Sequence, residues 1–233
     1  SLYLRNLETS EWISLNDETE YHSKEIPRVP MLIYYLKLSE KNPELIHHTL
    51  RTDAQTKLKP NPDKQDWIQT DKSYTISDLL VRMMTKDDKN ASALLRQHLD
   101  TCDIQKMYAD MGLKTHKNEK GQTLFHVNDF SMFLRVLYDA TYLSPEHSEY
   151  ALDLLSRSQK EEGLAAPIPN ELPVAHRFSV VELPDSVELR ESGIIYCNRQ
   201  PYLLTIMTKG KKKDGQQEVI AQFSQLIYHY FCS

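Results

Sequence analysis

The apolar positions along this chain change period twice, and each change predicts a different kind of element. Residues 2–6 and 11–14 are apolar-rich on either side of Glu8-Thr9-Ser10, which predicts a β-hairpin. Pro30 then opens the run Met31-Leu32-Ile33-Tyr34-Tyr35-Leu36. Proline suits a first helical turn, where its missing N–H would have had no partner anyway, so a helix is expected over 29–40. It is apolar nearly all round, the pattern of a buried helix. Residues 51–74 are polar, carry Pro60 and Pro62, and predict a surface loop. Ser77 stands as an N-cap before Leu79, Leu80, Met83 and Met84 at helical spacing. After the charged break Lys86-Asp87-Asp88-Lys89, a second apolar run extends from Ala91 to Leu99. Further helices are expected at 103–111, 128–142 and 145–158, the last opened by Ser144-Pro145.

Around Pro167, Pro169 and Pro173 the pattern changes again. Residues 174–181, 188–197 and 201–208 read as strands, and Gly210 to Gly215 as a turn. A closing helix is expected over 217–231, where Val219, Ile220, Phe223, Leu226, Ile227 and Tyr230 keep the helical period. Strands from both ends can meet in one antiparallel sheet, with the last helix covering it and the middle helices grouped apart. The expected fold is therefore α+β: one domain over 1–233, with an α/β lobe at 1–28 and 174–233 and an all-helical lobe at 29–173.

Composition narrows the function. The 233 residues hold 28 Lys and Arg against 33 Asp and Glu, a net charge of −5. That balance argues against a nucleic-acid binder, whose surface should be basic. No stretch approaches the ~20 apolar residues of a membrane helix. Cys102, Cys197 and Cys232 lie far apart and form no C-x-x-C pair, so three unpaired cysteines are expected. His47 and His48 are adjacent and the other histidines show no ligand spacing, so neither a metal site nor a cofactor is expected. Lys209, Lys211, Lys212 and Lys213 read as a solvated turn.

Four segments, in order, resemble the class A serine beta-lactamase and penicillin-binding-protein superfamily. Glu25-Ile26-Pro27-Arg28-Val29-Pro30 is similar to the family's Ser-x-x-Lys-x-Pro opening of a buried central helix. Asp87-Asp88-Lys89 follows a helix as Ser-Asp-Asn does. Arg177-Phe178-Ser179 lies on a strand as Lys-Thr-Gly does, and Ser192-Gly193-Ile194-Ile195-Tyr196 and Pro201-Tyr202-Leu203-Leu204 resemble the next two strands. The resemblance covers nearly the whole chain and implies the family's fold.

The chemistry does not carry over with it. The family's mechanism needs a serine nucleophile, a nearby lysine and a second wall of Ser-Asp-Asn and Lys-Ser/Thr-Gly. Here the nucleophile position reads Glu25 and the lysine position Arg28. Acylating a carboxylate would give an anhydride rather than an ester, and arginine stays protonated, so it cannot serve as a base. Phe178 removes a hydroxyl and is expected to fill the groove. The deacylating glutamate has no clear counterpart, Glu119 being the nearest carboxylate. No serine stands three residues before any lysine, so a shift of register does not restore the motif.

Glu25, Arg28, Asp88, Lys89 and Arg177 are thus expected to converge, with two readings. They form a structural salt-bridge network in place of a lost active site, or Arg28, Lys89 and Arg177 bind an anionic group such as a peptide C-terminus. A third alternative, residual hydrolysis from a rearranged site, would use Ser23, Ser179 or Asp88. The resemblance implies an extracytoplasmic pseudoenzyme of bacterial type, serving as an interaction or structural module for an unknown protein or cell-wall partner.

Overall fold

The computed structural model describes residues 1–23, 27–53, 58, 67–113, 116–119, 121–158, 163–197 and 200–232. Glu25 lies outside them. The elements are, in order, β1 (Leu2–Asn6), β2 (Trp12–Leu15), β3 (Tyr21–Ser23), α1 (Arg28–Lys41), β4 (Thr49–Arg51), β5 (Ser73–Thr75), α2 (Ile76–Thr85), α3 (Lys89–Gln97), α4 (Thr101–Asp110), β6 (His116–Lys117), β7 (Thr123–Phe125), α5 (Val127–Tyr138), α6 (Pro145–Ser156), β8 (Val174–Glu182), β9 (Val187–Ile195), β10 (Tyr202–Gly210) and α7 (Lys213–Cys232). Two short 3-10 helices lie at Pro43–His47 and Gly163–Ala165.

The main sheet has five antiparallel strands in the order β2-β1-β10-β9-β8. Chain-terminal strands meet in its middle, with Leu4 opposite Leu204. Alternation along each strand splits the apolar side chains between two cores. Tyr3, Ala175, Ile194, Leu203 and Met207 join a large core with α1 to α6. Leu2, Val174, Leu189, Ile195, Leu204 and Ile206 join a smaller one with Ile220 and Ile227 of α7. The two-residue period of a strand fixes this division.

At the centre of the large core, Met31, Leu32 and Ile33 of α1 are wholly buried. Truncating any of them to alanine would cost about 2–5 kcal/mol, since the surrounding helices close only part of the cavity. Pro27 precedes α1 in an extended conformation and Pro30 sits in its first turn, as the sequence requires.

Several expectations shift. The N-cap of α2 is Thr75, not Ser77: its hydroxyl accepts the Asp78 amide at 3.1 Å. The polar stretch 51–74 is bracketed by a small ladder, β4 on β5, while residues 54–57 and 59–66 lie outside the described set. A second small sheet, β3-β7-β6, was not expected at all; strands of two or three residues are too short to show a period. The closing helix starts four residues early and runs through Gly215. The cysteines are also corrected: Cys197 and Cys232 form a disulfide with Cα atoms 5.6 Å apart, and Cys102 is free and exposed. Their separation of 35 residues hid a proximity that only the packing of α7 against the end of β9 creates.

Candidate functional site

The site expected from the sequence lies where three elements end together. α2 stops at Thr85, and its last carbonyls point out of the helix without intrahelical partners. Two arginines meet them. Arg28, the first residue of α1, donates from Nη1 to the Met83 carbonyl at 3.1 Å. Arg177, on β8, donates from Nη1 to the Met84 carbonyl at 3.2 Å. Both guanidiniums also donate to one atom, Oδ1 of Asp87. Asp87 is held for this in the left-handed region, at φ 53°, which aspartate tolerates better than most residues.

The three side chains therefore clamp the head of the central helix, the edge strand β8 and the α2–α3 turn to one another. Arg28 and Arg177 are nearly buried, while the Asp87 side chain is 43% exposed. Burial raises the Asp87 carboxyl, but Arg28 and Arg177 outweigh it and hold it below the usual carboxylate range. Burial, and then repulsion from Arg28, lowers the Arg177 guanidinium to about 10 despite the pull of Asp87. Even so lowered, it remains a cation at neutral pH and cannot take a proton. Forked N–H groups on a carboxylate hold geometry well, but they offer no nucleophile.

The remaining expected residues that the structure describes are placed differently. Asp88 is fully buried and is the N-cap of α3. Its Oδ1 accepts the amides of Asn90 and Ala91, each at 2.9 Å, and its Oδ2 accepts the Ile68 amide at 2.9 Å. That role is structural, and with both oxygens taken it does not serve the cluster. Lys89 is exposed at the first turn of α3. Phe178 does not fill the groove: alternation along β8 sends Arg177 and Ser179 to the helical face and Phe178 to the other. There it packs on the small core, under Lys213 at 5.7 Å from its ring centre. Ser179 is half-buried opposite Arg190. Ser23 is buried on β3 opposite Thr123. Glu119 is exposed in the turn joining β6 to β7, which is closed by Asn118 and Gln122.

A second charged group was missed. Glu188, fully buried on the helical face of β9, accepts the His22 amide at 2.8 Å and Arg190 Nη2 at 3.0 Å, and its Oε1 lies 2.9 Å from His22 Nδ1. Burial raises this carboxyl, yet His22 and Arg190 bring it below its ordinary value. On the opposite face Glu191 accepts the Leu164 amide at 2.6 Å and lies 2.9 Å from His176 Nδ1. The signal was in the sequence: Glu188, Arg190 and Glu191 interrupt an otherwise apolar strand, and buried charges require partners.

Among the described residues, no group of three or more His, Cys, Asp or Glu is placed to hold a metal ion. None of their helices is long and apolar enough to cross a membrane. A surface cavity of about 680 Å³ lies at the far end of α1 between Leu38, Leu45 and His98, away from the clamp.

Comparison with known proteins matches this geometry at the level of the fold. The chain superposes on the TLA-3 extended-spectrum beta-lactamase with a TM-score of 0.86 at 15% identity, over 100% of this chain and 92% of that one. A beta-lactamase from Chitinophaga pinensis gives 0.84 at 14% identity, over 98% and 92%. PBP-A, solved as an acyl-enzyme complex with penicillin G, gives 0.81 at 18% identity, over 99% and 89%. No curated protein matches the sequence. The profile of the beta-lactamase enzyme family matches residues 1–231, and the chain belongs to that family.

Proposed function

We propose that this protein is a catalytically inert member of the family, acting outside the cytoplasm as an interaction or structural module. The observation that carries this reading is the clamp of Arg28, Asp87 and Arg177. Each stands where the resemblance puts a reacting or substrate-holding residue, and both arginines donate to Asp87 and to a carbonyl at the end of α2. At the nucleophile position the sequence supplies Glu25, whose acyl product would be an anhydride. On this reading the chain is one domain, its α/β lobe (1–28 and 174–233) tied to its helical lobe (29–173) by ion pairs at the old seat of the chemistry. Incubation with a fluorescent penicillin followed by a denaturing gel tests it. No labelled band is expected, and a labelled band would overturn it.

The location outside the cytoplasm is supported by the disulfide between Cys197 and Cys232, since such bonds persist mainly in oxidising compartments. Thiol counting on protein isolated from its host without reductant should find one reactive cysteine, Cys102. Three would count against it.

A second reading has its own observation. Among the described residues, two guanidiniums share one carboxylate that is 43% exposed, which leaves one positive charge in excess at the clamp. Arg28 and Arg177, with Lys89 nearby in sequence, would then receive an anionic group such as the C-terminus of a cell-wall peptide. Calorimetric titration with muropeptide stems should give heat that Arg177→Ala abolishes. No heat at millimolar concentration would remove this reading.

A further inference from the structure

Two histidines that are distant in the chain meet beside the small sheet. β6 pairs with β7 so that His116 stands opposite Leu124. The backbone is still extended at His126, the N-cap of α5, with φ −88° and ψ 163°. His126 therefore takes the diagonal, same-face position to His116, within reach of a long side chain. Their ring centres are 5.4 Å apart. The hairpin between them hides this pair from any reading of ligand spacing along the chain. Both rings line a cavity of about 340 Å³ together with Asp17, Glu18, Asn128 and Asp129, none of which belongs to the clamp.

The tautomer and the spacing both suit a metal ion. His126 Nδ1 lies 3.2 Å from Asp129 Oδ2. A carboxylate only accepts, so Nδ1 carries the proton, and in the neutral ring Nε2 keeps its lone pair. A carboxylate on the far nitrogen is the usual support of a metal-bound imidazole, fixing its tautomer and direction. His116 is exposed, so its ring can turn. A zinc ion about 2.1 Å from one nitrogen of each ring, with about 109° between the bonds, sets the ring centres about 5 Å apart. The observed 5.4 Å meets that requirement.

Charge agrees. Asp17, Glu18 and Asp129 surround the cavity, and no lysine or arginine is among the described lining residues. These carboxylates outweigh the positive N-terminal end of α5. Asp17 Oδ2 accepts the Ser14 hydroxyl at 2.7 Å and the Asn128 amide at 3.2 Å, which hold its carboxyl below the ordinary range. Asn128 Oδ1 is buried with no hydrogen-bond partner among the described residues. An orphan acceptor in a cavity wall is accounted for by a bound ion or the water it carries.

We propose that His116 and His126 bind one divalent cation of the zinc type, with water in its remaining positions. Two imidazoles are fewer than the three or four protein ligands of a built zinc centre, so the site is open and its affinity is on the order of micromolar. Bound there, the ion ties β6 to the start of α5 beside the acidic β2–β3 turn.

Calorimetric titration of the full chain with zinc chloride tests this, with native mass spectrometry for the stoichiometry. A single zinc per chain is expected, and the melting temperature should rise as zinc is added. His116→Ala and His126→Asn should each weaken binding by about tenfold or more. Without zinc both should melt with the parent chain, because His116 is exposed and asparagine is itself a good N-cap. Asp129→Asn should weaken binding by about tenfold through the His126 ring. His47→Ala, at the cavity beyond α1, should leave it unchanged. No binding at about 100 µM zinc, or binding that both histidine variants leave intact, would overturn the proposal. Loss of binding in His47→Ala would place the ion elsewhere and overturn it equally.

Discussion

Two charged clusters sit on the helical face of the main sheet, and they differ in what surrounds them. The Arg28–Asp87–Arg177 clamp lies at the edge strand β8, where Asp87 is 43% exposed. The Glu188–Arg190–His22 knot lies one strand further in, where Glu188 and Arg190 are almost fully buried. Both hold a carboxylate below its ordinary pKa by means of guanidinium or imidazole neighbours. Only the clamp touches positions that the family resemblance assigns to chemistry. The knot pins the His22 backbone on β3, just before the segment that leads into α1. The inner cluster is therefore part of the core's architecture, whereas the outer one lies at the sheet's edge within reach of solvent. A buried charge that loses its partner cannot turn to water, and an edge charge can, so the two clusters should respond to mutation on different scales.

The largest effect is expected from Glu188→Ala. It strands Arg190, which is 2% exposed and whose Nε already has no partner among the described residues. Breaking such a pair costs about 3–5 kcal/mol, which lowers the melting temperature by roughly 10 °C for a chain of this size. A shift of only a degree or two would show that the knot is solvated. Asp87→Ala leaves two cations facing each other, but each keeps its carbonyl at the end of α2 and the space vacated by the half-exposed Asp87 opens to water, so the cost should be smaller, about 1–2 kcal/mol. Added formate should recover part of that loss, by placing a carboxylate back between the forks, and should do nothing for Glu188→Ala. Equal behaviour of the two variants would erase the distinction drawn here.

Acid should separate the clusters less. Both Asp87 and Glu188 have folded pKa values depressed below their unfolded ones. Each therefore contributes stability that is fully present above the ordinary carboxylate range, about pH 4, and is lost as pH falls through the folded values. The melting temperature should be flat near neutrality and drop below about pH 4. That drop should be shallower in Asp87→Asn and Glu188→Gln. The smallest effect is expected from Phe178→Ala. It removes a ring from the far face of the sheet, and its measured cost should add to that of Asp87→Ala within about 0.5 kcal/mol, as independent sites do. Strong coupling would place Phe178 in the groove after all.

Much of the fold could be read in the chain because its signals are long. The buried run from Met31 to Leu36, the Ser144-Pro145 helix start and the nine-residue strands β8 to β10 each carry several periods. Shorter features escaped. β3, β6 and β7 have no period to detect. Thr75 and Ser77 both offer a capping hydroxyl, and only the backbone geometry selects Thr75. The site was legible in part: Arg28 and Arg177 do meet, but on Asp87 rather than Asp88. One residue of difference separates a turn carboxylate, free to reach Arg28 and Arg177, from an N-cap whose oxygens are consumed by amides. Spacing along the chain does not distinguish them, because the left-handed turn at Asp87 decides which way each side chain points.

The central claim is that the Arg28–Asp87–Arg177 clamp stands in place of reacting groups, so that the protein forms no bond with the family's reagents. Intact-protein mass spectrometry after prolonged exposure to penicillin G tests it most directly. The account predicts an unchanged mass. A gain equal to one penicillin molecule, on any residue, would contradict it.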